Sequence, residues 1–160
     1  FDLEGNDTGA IVGQGLIQDD PEGLAIAEAP NAPGGGWLVV ADQGDDMTAL
    51  RIFTRDGSRY IGAATGNPVL ANTDGIALAA ESFGLFRGGA LYCVHDDLRV
   101  QGYAWDDIAE ALAWLEGQAV FRRTPGNGER YAFEIRGRGA RACRGLVLFA
   151  PPRRGARIDK

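Results

Sequence analysis

Lysine is nearly missing from this chain. The single copy is Lys160, and residues 1–117 hold 5 Arg against 19 Asp and Glu, which leaves that stretch without a Lys to grip a phosphate. One histidine, His95, excludes a zinc site built on paired histidines, and beside Asp96 and Asp97 it reads as a turn residue at the surface rather than a base. There is no G-x-S-x-G and no Gly-rich loop ending in Gly-Lys-Ser/Thr, so neither a nucleophile elbow nor a phosphate-cradling loop is present. Two cysteines, Cys93 and Cys143, supply neither a disulfide framework nor metal-ligand spacing, and they read as two separate thiols. No apolar run approaches the roughly 20 residues needed to span a bilayer. Phe1-Asp2-Leu3-Glu4 has neither the charged nor the apolar region of a signal peptide.

What is present points to short strands. An apolar share of 45% with 24 Gly in 160 residues fits a folded, turn-rich chain, because a disordered one lacks the apolar surface to offset ordering entropy. The length suits one domain, or part of one. Charge divides the chain unevenly: residues 1–117 are strongly acidic, whereas residues 118–160 carry 10 Arg and 1 Lys against 3 acids. Two segments with different roles or histories are expected, an acidic domain over 1–117 and an Arg-rich tail over 118–160.

Apolar runs separated by turn signals predict antiparallel strands over 23–27, 36–41, 49–54, 60–64, 75–79, 90–94 and 100–104. Asp56-Gly57 between two of them predicts a hairpin closed by a type I′ turn. One helix is expected from Asp107, as N-cap, to a stop at Gly117, with Ile108, Leu112 and Leu115 on one face. Beyond it, the pattern allows a hairpin of 119–123 with 130–135 and an apolar run over 145–150, in a tail whose dense Arg, Gly and Pro leave its order open. Spacing alone does not choose between a sandwich and propeller blades.

Carboxylates gather in the turns: Asp19-Asp20-Pro21-Glu22-Gly23, Asp42, Asp45-Asp46, Asp74-Gly75 and Asp96-Asp97. A hard cation such as calcium needs several oxygen ligands, and acids at strand ends can supply them without burying an uncompensated charge. Any one of these clusters by itself reads first as a solvated turn.

The order of the pieces is more specific than any piece. Asp20-Pro21-Glu22-Gly23-Leu24, then Val40-Ala41-Asp42-Gln43-Gly44-Asp45-Asp46, then Arg51-Ile52-Phe53-Thr54-Arg55-Asp56-Gly57, then Thr73-Asp74-Gly75-Ile76, resembles the calcium-dependent β-propeller phytases. Leu91 to Asp97 and Tyr103-Ala104-Trp105-Asp106-Asp107-Ile108-Ala109 continue the likeness, which covers about residues 19–112. The resemblance implies an all-β fold, about two of six antiparallel propeller blades with one short helix, forming the C-terminal part of a longer parent. It implies Ca2+ as cofactor, myo-inositol hexakisphosphate as substrate, hydrolysis of its phosphate monoesters, and a secreted or periplasmic parent. Asp20 and Glu22 match the acidic pair that would act at the catalytic calcium ions, Asp74 the aspartate near a structural calcium, and Asp96 the acid of the turn beside it.

The sequence departs from the family at three places. Residues 66–72 before Thr73 carry no carboxylate, Asp45-Asp46 stands where two Asn are usual, and nothing after about Leu112 matches. The expected partners are therefore the inositol phosphate and the missing blades of the same parent, with the fragment inactive alone. A non-catalytic calcium-binding propeller fragment and a lactonase-like propeller hydrolase are the alternatives. The Arg-rich tail could attract an anionic surface, but without aromatic interleaving or a binding motif it is not read as a nucleic-acid interface.

Overall fold

The computed structural model describes residues 1–66, 68–121, 132–134 and 146–149. Four strands follow one another as an antiparallel meander: β1 (Asp20–Glu28), β2 (Gly36–Gln43), β3 (Ala49–Thr54) and β4 (Tyr60–Gly66). A second meander holds β5 (Ile76–Ala79), β6 (Ala90–His95) and β7 (Arg99–Ala104). The antiparallel, all-β expectation holds, and the first seven strands fall close to their predicted positions. After β7 the chain turns directly into α1 (Trp105–Phe121), and β8 (Ala132–Glu134) pairs with β9 (Leu146–Phe149).

Three local expectations are corrected. The helix begins at Trp105, so Asp107 lies inside its first turn rather than capping it, and α1 runs through Gly117 to Phe121. Residues 119–121 are consequently helical, and β8 pairs with β9, which itself adds to β4 and extends the first sheet to six strands in the order β1-β2-β3-β4-β9-β8. The rest of the predicted tail hairpin, together with Cys143, lies outside the described residues.

The third correction is at the β3–β4 hairpin. A type I′ turn needs positive φ at two residues, but only Gly57 (φ 72°) has it, and Gly57 N–H donates to the Thr54 carbonyl. Asp56 explains the wider loop: its Oδ1 accepts from Thr54 Oγ1 at 2.6 Å, Ser58 Oγ at 2.8 Å and Ser58 N at 3.1 Å. A register shift between Ile52 and Phe53 absorbs the extra length. The Thr54 and Ser58 hydrogen bonds pull the Asp56 carboxyl down to about 2. A depressed carboxylate contributes stability that is complete above its unfolded value and lost as pH falls through its folded one. The Tm difference between wild type and Asp56→Ala should accordingly be present at neutral pH and shrink from about pH 4 toward pH 2. An Asp56→Ala deficit that is constant with pH would contradict this origin.

The two sheets face each other across one core. Ala25, Ala27, Trp37, Val39, Leu50, Ile52 and Ala64 point from the first sheet toward Leu91, Cys93 and Tyr103 of the second, and Trp105, Ile108 and Leu112 close the end. Residues two apart along a strand share a face, which puts these side chains on the side of the sheet that meets the other sheet. Trp37 and Trp105 meet edge to face with centroids 6.0 Å apart. Burial pushes the Cys93 thiol up to about 12, so it is packing material and not a nucleophile.

The first strands of the two sheets, β1 and β5, approach side by side at Gly23. A Cβ there would lie 2.8 Å from the Ile76 nitrogen, which is why the position tolerates no side chain.

Candidate functional site

Residues 70–75 run as a strap between the sheets. Thr48 N–H donates to the Leu70 carbonyl, Asn72 N–H to Gly44 and Thr73 N–H to Thr48 Oγ1, which ties the strap to the β2–β3 turn. On the other side Asp96 N–H donates to the Ala71 carbonyl, Val94 N–H to Gly75, and Ala71 N–H to His95 Nδ1 at 3.1 Å. His95 is not the surface turn residue its sequence context suggests: its side chain is only 12% exposed, and it accepts a backbone bond while Nε2 lies 3.4 Å from Asp96 Oδ2. Replacing His95 by Leu leaves the buried Ala71 N–H without its acceptor, a loss of about 1–3 kcal/mol. Urea unfolding should show it as a lower midpoint at unchanged slope, and an unshifted midpoint would count against the role.

The strap determines where the acids lie. Asp74 leaves it just before β5 and accepts from Gln43 Nε2 at 3.0 Å. Gln43, the last residue of β2, is paired in register with Asp20, the first of β1. Asp96 and Asp97 follow β6 in the left-handed region, at φ 51° and 52°, a conformation that Asp adopts more readily than most residues and that folds the turn back on itself. Asp96 Oδ1 accepts from Asn72 Nδ2 at 3.1 Å. Asp97 lies near Asp74: hydrogen bonding and charge from Asp74, with smaller contributions from burial and from the Asp96 charge, hold Asp97 above the usual carboxylate range.

One rim of the molecule thus carries Asp20, Gln43, Asp74, Asp96 and Asp97. Glu22 stands beside this group, exposed, at the irregularity between Pro21 and Gly23, and it makes no hydrogen bond or ion pair with another described residue. The rim brings Asp74 together with Asp97 and, through Asp97, with Asp96; Asp20 reaches Asp74 only by way of Gln43. No group of three or more His, Cys, Asp or Glu among the described residues is placed to hold a metal ion. The donors are all hard oxygens, the chemistry calcium takes, but they fall short of the six to eight that fill its shell.

No family model, curated protein or solved structure matches the chain.

Asp42 is not one of the rim's free acids, although its place in the sequence suggested it. Its side chain is fully buried, with Oδ2 2.7 Å from both Arg51 Nε and Arg51 Nη2, and it accepts from Gln18 N and Asp19 N. Gln43 is not among the acids of the sequence reading, and of the pair Asp96-Asp97 the resemblance singles out Asp96 alone. A search for carboxylates passes over an amide such as Gln43, and Asp97 is singled out from Asp96 only by its contact with Asp74. No helix among the described residues is long and apolar enough to cross a membrane.

Proposed function

We propose that this chain is part of a calcium-dependent, phytase-type propeller hydrolase, in which the rim of Asp20, Glu22, Asp74 and Asp96, joined by Gln43 and Asp97, is a share of the calcium-binding face. The observation that carries this reading is the Asp20–Gln43–Asp74–Asp97 sequence of neighbours: residues from four separate segments, three of them in ordered phytase-like motifs, converge on one rim. Two consecutive meanders whose first strands meet at Gly23 and Ile76 suit adjacent blades. Leu24 and Ile26, apolar yet 67% and 55% exposed on the open side of β1, suit a further blade of the parent packed against them.

Calcium bound at such a rim would neutralise phosphate charge, orient the ester and acidify a bound water. The chain's own residues have simpler tasks. Asp74 and Asp97 supply a close carboxylate pair whose repulsion a cation relieves, Gln43 orients Asp74, and Asp20 and Glu22 present charge at the start of β1. The substrate class is the phosphate monoester of an inositol phosphate, and the missing cationic and calcium-binding groups belong to the partner blades.

Terbium luminescence tests the reading, because Tb3+ occupies calcium sites and reports its ligands. Binding to the intact chain should be competed by Ca2+ and should weaken in Asp74→Asn and Asp97→Asn far more than in Asp7→Asn, an acid remote in sequence from the rim. Equal affinity in all four proteins would reject a rim site.

A further inference from the structure

We infer that Asp42, clamped by Arg51, is the positioning residue of this rim: it holds the backbone of Gln18 and Asp19 so that Asp20 enters β1 beside Gln43. For its functional meaning the inference rests on the calcium reading of the rim, while the clamp itself stands on geometry alone. Asp42 Oδ1 accepts from Asp19 N at 2.8 Å, and both carboxylate oxygens lie 3.2 Å from Gln18 N. Arg51 closes the other side through Nε and Nη2 in a side-on pair, with its side chain 17% exposed and that of Asp42 at 0%. Burial works to lower the Arg51 pKa, but hydrogen bonding with Tyr60 and with Asp42, together with the Asp42 charge, outweighs it.

The placement is specific. Gln18 and Asp19 precede β1 and have no ladder partners there, so the carboxylate supplies what the sheet does not. The irregularity between Pro21 and Gly23 loosens the pairing just beyond Asp20. Asp42 pairs with Pro21, which has no N–H to donate, so the ladder is weakest where Asp20 and Glu22 must be aimed. A buried anion one residue from Gln43 fixes the chain from the N-terminal side. The Asp19 carboxylate in turn lies close to Gly44, 3.2 Å from the place of an added Cβ.

The experiment compares wild type, Asp42→Asn and Leu50→Ala, the last a core truncation that lowers stability without touching the clamp. Tb3+ affinity is measured where all three are folded by near-UV circular dichroism, and backbone amide exchange is followed in parallel. Asp42→Asn should weaken Tb3+ binding by about 10- to 100-fold, as loss of a residue that orients metal ligands does, while Leu50→Ala leaves it unchanged. Exchange at Gln18 and Asp19 should quicken in Asp42→Asn with Ile52 still protected. Unchanged affinity in Asp42→Asn overturns the positioning role. Absence of Tb3+ binding in wild type overturns the calcium reading instead, and the clamp is then judged by exchange: faster Gln18 and Asp19 amides in Asp42→Asn uphold it, and unaltered ones reject it. Should Asp42→Asn fail to fold, Arg51→Lys loosens the same clamp while keeping the charge, and the same two readouts apply.

Discussion

Purified chain supplied with calcium and phytate is expected to release phosphate no faster than a protein-free control. Transfer of a phosphoryl group to water needs a gripped substrate, clustered cations and a positioned nucleophile, each held where charge develops. Here the rim offers acids and an amide, but residues 1–117 have no Lys, and two of their five Arg, Arg51 and Arg55, are paired with Asp42 and Glu28. Residues that act as a unit lose nearly the whole rate enhancement when several are removed, so the deficit is expected to be several orders of magnitude rather than partial. Calcium-dependent turnover that disappears in Asp20→Asn or Glu22→Gln would show the expectation wrong, and would mean that this chain, by itself or through association, completes the site.

Arg51→Met is expected to cost about 3–5 kcal/mol, the largest stability effect of any single polar substitution proposed for this chain, because it leaves the Asp42 carboxylate buried without its cation. An exposed pair is a useful contrast: Arg55 and Glu28 are 3.0 Å apart with side chains 46% and 71% exposed, and Arg55→Met should cost no more than about 1 kcal/mol. The double variant Asp42→Leu with Arg51→Met should recover part of the loss, since it removes the stranded charge, although Gln18 and Asp19 then lose their acceptor. Chemical denaturation of the four proteins separates these cases. A loss for Arg51→Met no greater than for Arg55→Met would mean that water reaches Asp42 and that the buried clamp does not exist in solution.

The strands were legible as short apolar runs, such as Trp37 to Ala41 and Leu50 to Phe53, bounded by Gly and Asp turn signals. The hairpin at Asp56-Gly57 was legible in position but not in type, since the Asp56 carboxylate found Thr54 and Ser58 and widened the turn. Helix α1 was legible from Ile108 and Leu112, yet its limits were not. A stop at Gly117 is a local preference of order 1 kcal/mol, which other interactions readily override. Of the rim, Asp20, Glu22, Asp74 and Asp96 were marked as acids in turns, but nothing in their spacing told that Asp97 rather than Asp96 would meet Asp74.

By itself, then, the sequence determined what is local: the acidic turns, the alternating strands, the meander order and the single helix, each written in residues close along the chain. Tertiary structure alone decided which acids are available and which are committed. Asp42 and Asp74 look alike in sequence, each at a strand end next to a polar turn, yet one is buried against Arg51 while the other stands at the rim beside Asp97. The difference comes from segments 9 and 23 residues apart, Asp42 with Arg51 and Asp74 with Asp97, which only the packing of strands and strap brings together, because a charge is buried where a partner compensates it and left in water where none does.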